Sequence, residues 1–334
     1  MTMQATFWGV RGSVPSPITG KQLEAKIAHT IHYAIRTGKF TPETPLEEVA
    51  TWLHEIPFEM RSTYGGNTTC LSVNCDDIQF ILDMGTGIRE LGLAQMSGII
   101  KNKTLSCIAL LTHVHWDHIQ GFPFWAPLYL PRRVFNCSCT LYGGKTWDSQ
   151  LELVLKGQMN APVFPVNLEE IEQTSMKLNF NSIYDGWEGR FETRSNDEVR
   201  VLARKLNHPQ ETFGYRIEYN GNVFAFTTDN EPFAAGVPKG MIELVKNADV
   251  WVTDCQYTLQ NYTGEVGGVP KHGWGHSYPE AIALIAEHAK PKRIITTHHD
   301  PQADDDTIWK IAHTVQQLTG IPTEAAYEGL VLDL

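Results

Sequence analysis

The chain has 334 residues, 42% of them hydrophobic and 19% charged, with a formal net charge of −11. That composition is ordinary for a folded protein with a large core and excludes a disordered chain. The acidic balance would repel a polyanion unless a local basic patch reversed the field, so long nucleic acid is expected to be a poor partner.

At the start, Met1 to Trp8 lacks a basic region followed by an apolar run, and no stretch is long and apolar enough to span a bilayer. A cytoplasmic protein without membrane contact is expected. Short runs at Ala5 to Trp8, Thr69 to Val73 and Gln79 to Leu82 read as strands, and Leu105 to Leu111 as a nearly continuous apolar strand covered on both faces. Between the first two, residues 21–60 carry helical patterns, with Thr44-Pro45-Leu46-Glu47 in the form of a capping box. This insertion is read as a peripheral helical pair. A lid or a homodimer contact is the sharper alternative, motivated by Tyr33, Phe40, Trp52 and Phe58. A second insertion is placed at about 166–200, with no role assigned.

Later strands are expected at Phe213 to Tyr219, Asn222 to Thr227, Asp249 to Thr253 and Arg293 to Thr297. Asn220-Gly221 joins the first two as a hairpin, because both residues tolerate positive φ. Ser277-Tyr278-Pro279-Glu280 has the form of a capping box for a helix burying Ile282, Leu284 and Ile285. A last helix from about Asp305 places Ile308, Ile311, Ala312, Val315 and Leu318 at helical spacing and closes at Gly320. Two groups of strands with helices after them suggest stacked sheets covered by helices, all within one domain spanning 1–334. The six cysteines, Cys70, Cys75, Cys107, Cys137, Cys139 and Cys255, lie in or beside apolar stretches and are read as reduced. Cys137 and Cys139 could ligate a metal, but alternation in a strand puts both thiols on one face and buried packing is the preferred reading.

The chemistry concentrates in Thr112-His113-Val114-His115-Trp116-Asp117-His118, which sets four donor side chains within six residues on the turn leaving a buried strand. Alternation aims His113 and His115 to one side, and a bend toward a helix lets Asp117 and His118 face a second position. Imidazole and carboxylate without thiolate suit zinc, manganese or iron at a catalytic centre and argue against a structural zinc knot. A cluster of surface polar residues is the bland alternative.

H-x-H-x-D-H after an apolar strand resembles the signature of the metallo-β-lactamase superfamily. The runs Phe7 to Ser13, Tyr64 to Thr68, Leu82 to Gly87 and Gly273 to Ser277 are similar to the branch holding tRNase Z and bacterial cyclic phosphodiesterases. The resemblance covers nearly the whole chain and implies an αββα sandwich, an α/β fold here elaborated by the helical insertion near the N-terminus. It implies two divalent ions, zinc first, with manganese or iron as alternatives. His208 would join His113 and His115 on the first metal, Asp229 would bridge, and His298 would complete the second with Asp117 and His118. His299 is the competing neighbour, but strand alternation sends the two imidazoles opposite ways and the family spacing before Pro301 favours His298. Each of His208, Asp229 and His298 lies beyond the end of an expected strand, where an edge site is built.

Two ions can share a hydroxide and brace the entering and leaving oxygens of an in-line displacement, which suits phosphodiester hydrolysis. His276 and Asp117 are the catalytic candidates, His276 as proton donor to the leaving alkoxide. That role needs a carboxylate or the substrate phosphate to keep it protonated beside a helix start. A structural His276 is the alternative. Asp83 is similar to the family's aspartate that orients metal-bound histidines. Asp254 and Tyr257 could contact substrate or support the ligands, and Asn67 could line the mouth or form a turn. The expected substrate is a cyclic nucleotide or another small phosphodiester, with a tRNase Z-like ribonuclease or a lactone or thioester hydrolase as alternatives.

Overall fold

The computed structural model describes residues 3–144, 150–232, 236–266 and 268–334. Two seven-stranded sheets form its centre. The first runs in the order β14-β1-β2-β3-β4-β5-β6, with β1 Met3–Gly9, β2 Cys70–Cys75, β3 Ile78–Leu82, β4 Thr104–Leu110, β5 Asn136–Gly143, β6 Lys177–Ser182 and β14 Val331–Asp333. The second runs β13-β12-β11-β10-β9-β8-β7, with β7 Glu188–Glu192, β8 Glu198–Lys205, β9 Phe213–Tyr219, β10 Asn222–Thr227, β11 Val250–Asp254, β12 Ile294–Thr297 and β13 Thr323–Ala325.

Both sheets follow one plan. Pairing is antiparallel from β14 to β3 and parallel from β3 to β6, and likewise antiparallel from β7 to β10 and parallel from β10 to β13. Parallel strands need crossover segments, and these place helices on the outer faces.

The inner faces meet in one apolar core that includes Phe7, Val73, Phe80, Leu82, Val201, Tyr215, Ile217, Phe226 and Val252. A second layer packs Ile81, Ala109, Cys139 and Leu141 under Ile88, Leu91 and Ile99 of the helix Ile88–Asn102. A third sets Ala225, Trp251 and Ile294 against the helices Lys239–Val245, Pro279–Ala289 and Asp305–Thr319. This is the αββα sandwich expected. All six cysteines are buried and unpaired by disulfides, Cys137 and Cys139 both in the second layer.

Several local expectations hold. Asn220 and Gly221 take φ of 48° and 83° and join β9 to β10 as the tight hairpin. Asp304 caps the last helix through Thr307 N at 2.9 Å, and Gly320 closes it at φ 69°.

Others are corrected. Ser277 caps nothing: Tyr278 is the N-cap of Pro279–Ala289, with no side-chain hydrogen bond, because the Ser277 hydroxyl donates to Asn230 O at 2.5 Å. On the same helix Leu284 is 44% exposed while Ile282 and Ile285 are buried, and Leu318 on the last helix is also exposed. At Thr44 no box forms either, for the helix Leu46–Trp52 starts from Pro45. The box that does form is Thr19–Gln22, at the start of the helix Gly20–Thr37. Segment 166–200 holds the helix Leu168–Thr174, the edge strands β6 and β7 of the two sheets and the start of β8. The aromatic residues of 21–60 are taken up by packing: Trp52 stacks with Tyr33 and meets Phe40 edge-on, and Phe58 packs on Tyr64 and Tyr327.

Candidate metal centre

The two sheets present their strand ends along one edge. β3 runs out into Asp83, β4 into His113 to His118, β10 into Asp229 and β12 into His298, and β11 ends at Asp254. His208 follows β8, and His276 precedes the helix Pro279–Ala289. Positions 113 to 298 thus converge because parallel strands all finish on the same side.

His113, His115 and His208 bring one ring nitrogen each within 4.8 Å of one another, and Asp117, His118 and His298 form a second such group. Asp229 lies between them. Its Oδ2 is 3.3 Å from His118 Nε2 and 3.4 Å from His298 Nε2, and its Oδ1 is 3.9 Å from His113 Nε2. Asp117 Oδ2 stands 3.1 Å from His298 Nε2 and 3.3 Å from His118 Nε2. Asp229 and His298 hold these positions at φ of 61° and 56°, a left-handed backbone that turns each side chain back over its strand end.

Three of the imidazoles are oriented from behind. His118 Nδ1 donates to Asp83 Oδ2 at 2.8 Å, and His208 Nδ1 donates to Gly275 O at 3.2 Å. His113 Nδ1 is 3.0 Å from Thr112 Oγ1, whose proton goes to Asp83. These contacts leave Nε2 facing inward on all three rings, as a ligand requires. Asp117 Oδ2 also accepts from Ser13 N at 2.7 Å. Gly12 allows that close approach, since a Cβ there would lie 2.4 Å from the His298 ring. His299 turns away and donates to Ala326 O at 2.9 Å.

Burial, reinforced by the neighbouring His118, pushes the His113 imidazole well below its usual range, and burial likewise lowers His115 and His208. Burial opposes charge on His118 and His298 too, but Asp117 and Asp229 outweigh it and hold both above the ordinary range. The same pairing keeps Asp117 and Asp229 well below the usual carboxylate range in spite of burial. Neutral imidazoles on one side and a carboxylate pair on the other form a donor set of the kind that takes divalent cations. Two atoms test the fit: His113 Nε2 and Asp229 Oδ2 are buried with no hydrogen-bond partner among the described residues, and both face the space between the groups. Buried polar atoms without partners are rare, and a bound cation would satisfy both.

His276 is buried at the rim of this cluster, with Nδ1 3.3 Å from Asp254 Oδ2 and 3.8 Å from Asp229 Oδ1 and its ring stacked on His298 at 5.1 Å. Asp254 and Asp229 are thus the two carboxylates beside that ring nitrogen. Tyr257 is buried with its ring 6.0 Å from that of His276. Asn67 is turned away from the cage, its backbone and side-chain nitrogens donating to Glu328. One residue not foreseen is Glu231, whose carboxylate is buried beside the loop leading to His276 and accepts three hydrogen bonds. Its partners lie 31 to 44 positions away, so no local pattern marks it.

A family model described as "Beta-lactamase superfamily domain" matches residues 80–299. The chain is 28% identical over 229 residues to Ribonuclease BN of Cronobacter sakazakii, covering 56% of this chain and 69% of that protein. It is 23% identical over 256 residues to Ribonuclease Z of Bacillus cereus, covering 62% and 75%. The metallo-beta-lactamase fold protein YhfI from Bacillus subtilis superposes over 100% of both chains with a TM-score of 0.59 at 13% identity, a likeness of fold.

Proposed function

This chain belongs to the metallo-β-lactamase superfamily, in its tRNase Z-like branch, and from that membership we propose that this metal-dependent hydrolase cleaves small phosphodiesters, cyclic nucleotides first among them. The reading rests on the two donor groups with Asp229 between them. His113, His115 and His208 would hold one ion, Asp117, His118 and His298 the other, and Asp229 both. Zinc is the proposed occupant, with manganese or iron accepted by the same ligands. Two divalent ions supply charge neutralisation to a phosphoryl group and a strong oxygen nucleophile at neutral pH.

The chain's own residues supply the rest. Asp83 and Gly275 O hold the Nδ1 protons of His118 and His208, so Nε2 is the nitrogen that each ring would offer to an ion. His276, with Nδ1 toward Asp254, keeps Nε2 free to protonate the leaving alkoxide. Asp254 is itself held by Ser277 N at 3.0 Å and Asn230 N at 3.3 Å.

Two tryptophans favour a substrate with a planar ring. Trp116 is 73% exposed beside the exposed His115, and Trp274 is 49% exposed next to Gly275, which abuts His208. His115 and His208 touch at 3.1 Å, so Trp116 and Trp274 belong to segments that meet at the cage. Exposed indoles at a site mouth suit a nucleobase.

A ribonuclease reading is favoured by the names of the curated relatives, ribonucleases BN and Z. Cyclic mononucleotides, cyclic dinucleotides, linear oligoribonucleotides and lactones, assayed with defined zinc, manganese or iron loading, separate the readings. Cyclic nucleotides turning over fastest supports the proposal. Faster cleavage of oligoribonucleotides with a steep salt dependence transfers it to the ribonuclease reading, and faster opening of lactones removes phosphodiesters as the substrate class.

A further inference from the structure

Glu231 lies two residues past Asp229 and is only 8% exposed, yet it forms no ion pair within 4 Å among the described residues. Its carboxylate is satisfied by three neutral donors instead. Oε1 accepts from Tyr262 OH at 2.6 Å and Gly273 N at 2.8 Å, and Oε2 accepts from Gly275 N at 3.0 Å. Its backbone is engaged as well: Glu231 N donates to Asn207 O at 2.8 Å, and Asn207 Nδ2 donates back to Glu231 O at 3.2 Å. One residue therefore joins three segments of the cage, namely Asn207-His208, the turn after Asp229 and the Gly273 to His276 approach.

The consequence runs through Gly275. Its N–H is held by Glu231, and its carbonyl accepts the His208 Nδ1 proton at 3.2 Å. That peptide sits at φ 87°, and a Cβ there would fall 1.9 Å from His208 Nδ1, so ring and backbone are in contact with no room for a side chain. Resting on the reading of the cage as a metal centre, we infer that Glu231 is a positioning residue that sets the His208 ligand and the His276 side chain together through the Gly273–Gly275 backbone. A buried carboxylate is suited to this because only an acceptor at both oxygens satisfies both glycine N–H groups. An amide of the same shape must turn its NH2 toward one of them, setting donor against donor.

The test is Glu231→Gln, read by competition of the metal-stripped, refilled protein with a chromogenic chelator for zinc, so that two affinities are resolved. The weaker positioning of His208 should lower one affinity by about 10- to 100-fold, the range for loss of a group that orients a ligand, and leave the other within a few-fold. Turnover at saturating zinc should fall as well, through His276. Tyr262→Phe, which leaves both glycine N–H bonds intact, should move the same affinity in the same direction by less than about 10-fold, and it serves if the glutamine variant does not fold. Two unchanged affinities, or two that fall together with the melting temperature, overturn the inference. The titration uses no substrate, so a protein that binds two zinc ions but hydrolyses no phosphodiester leaves this inference standing while the functional reading fails. Failure of the parent to bind two ions removes both.

Discussion

The helix Gly20–Thr37 and the turn 112–118 both carry histidines, and they meet solvent in opposite ways. The helix has a capping box, a left-handed glycine cap and an amphipathic pattern, yet none of its residues is buried, and Leu23, Ile27, Ile31 and Ile35 remain exposed along with His29 and His32. The turn has little local helix signal and is polar, yet Thr112, His113, Asp117 and His118 are all buried. Local signals are thus enough to make a helix and insufficient to bury it. Buried imidazoles and carboxylates require partners that come from elsewhere in the chain, and here those are Asp83, Ser13, Asp229 and His298.

If this contrast is right, variants in the cage network change metal binding and turnover, whereas variants in the helix change only local order. The largest effect is expected for His276→Ala, which removes the proposed proton donor: turnover should drop by about 10²- to 10⁴-fold with zinc content unchanged, and full turnover would return His276 to a structural role. Asp83→Asn comes next. The new amide would face the Nδ1 proton of His118, driving that proton to the inward nitrogen and weakening zinc affinity by about 10- to 100-fold in chelator competition.

His299 follows the ligand His298 in the chain but turns to other partners, its ring 5.8 Å from Tyr64 and its Nε2 bonded to Ala326 O. Burial lowers its imidazole to about 3. An unfolded histidine takes its proton near pH ~6.5, so between that pH and about 3 the unfolded chain binds more protons than the folded one, and stability falls as pH drops through this window. The contribution lost between pH 7 and 5 is on the order of 2 kcal/mol. His299→Gln, whose amide can still donate to Ala326 O, should narrow the difference between urea midpoints at those two pH values, and an unchanged difference would count against a neutral buried imidazole.

The smallest effect is expected at Thr19→Ala. Loss of the Thr19–Gln22 box should cost about 1 kcal/mol of local helix stability, seen as faster amide exchange over the first turns, with turnover unaffected. A loss of turnover there would join the helix to the site and revive its reading as a lid.

Much of the cage could be read in advance because its first part is local. Four donors within six residues after an apolar strand have no ordinary structural use, whereas alternation says only that one of His298 and His299 faces the cage, and the choice of His298 comes from the family resemblance. The cap at Ser277 was misplaced for the opposite reason. Serine at that spacing matches a helix start, but a distant carbonyl, Asn230 O, takes its hydroxyl. Leu284 and Leu318 fit a helical stripe and still face solvent, because the width of a buried face depends on what packs against it.

What the amino-acid order determined by itself was the strands β1 to β4 and β9 to β12, the Asn220-Gly221 hairpin, the 113–118 donor run and the chemistry such donors allow, since each depends on neighbours within a few residues. Only the tertiary structure decided that 166–200 supplies an edge strand to each sheet, that Asp254 faces His276, and that Glu231 governs the approach to His208. Those outcomes depend on groups tens of residues apart meeting where parallel strands end, and hydrogen bonds across such separations leave no periodicity in the chain to read.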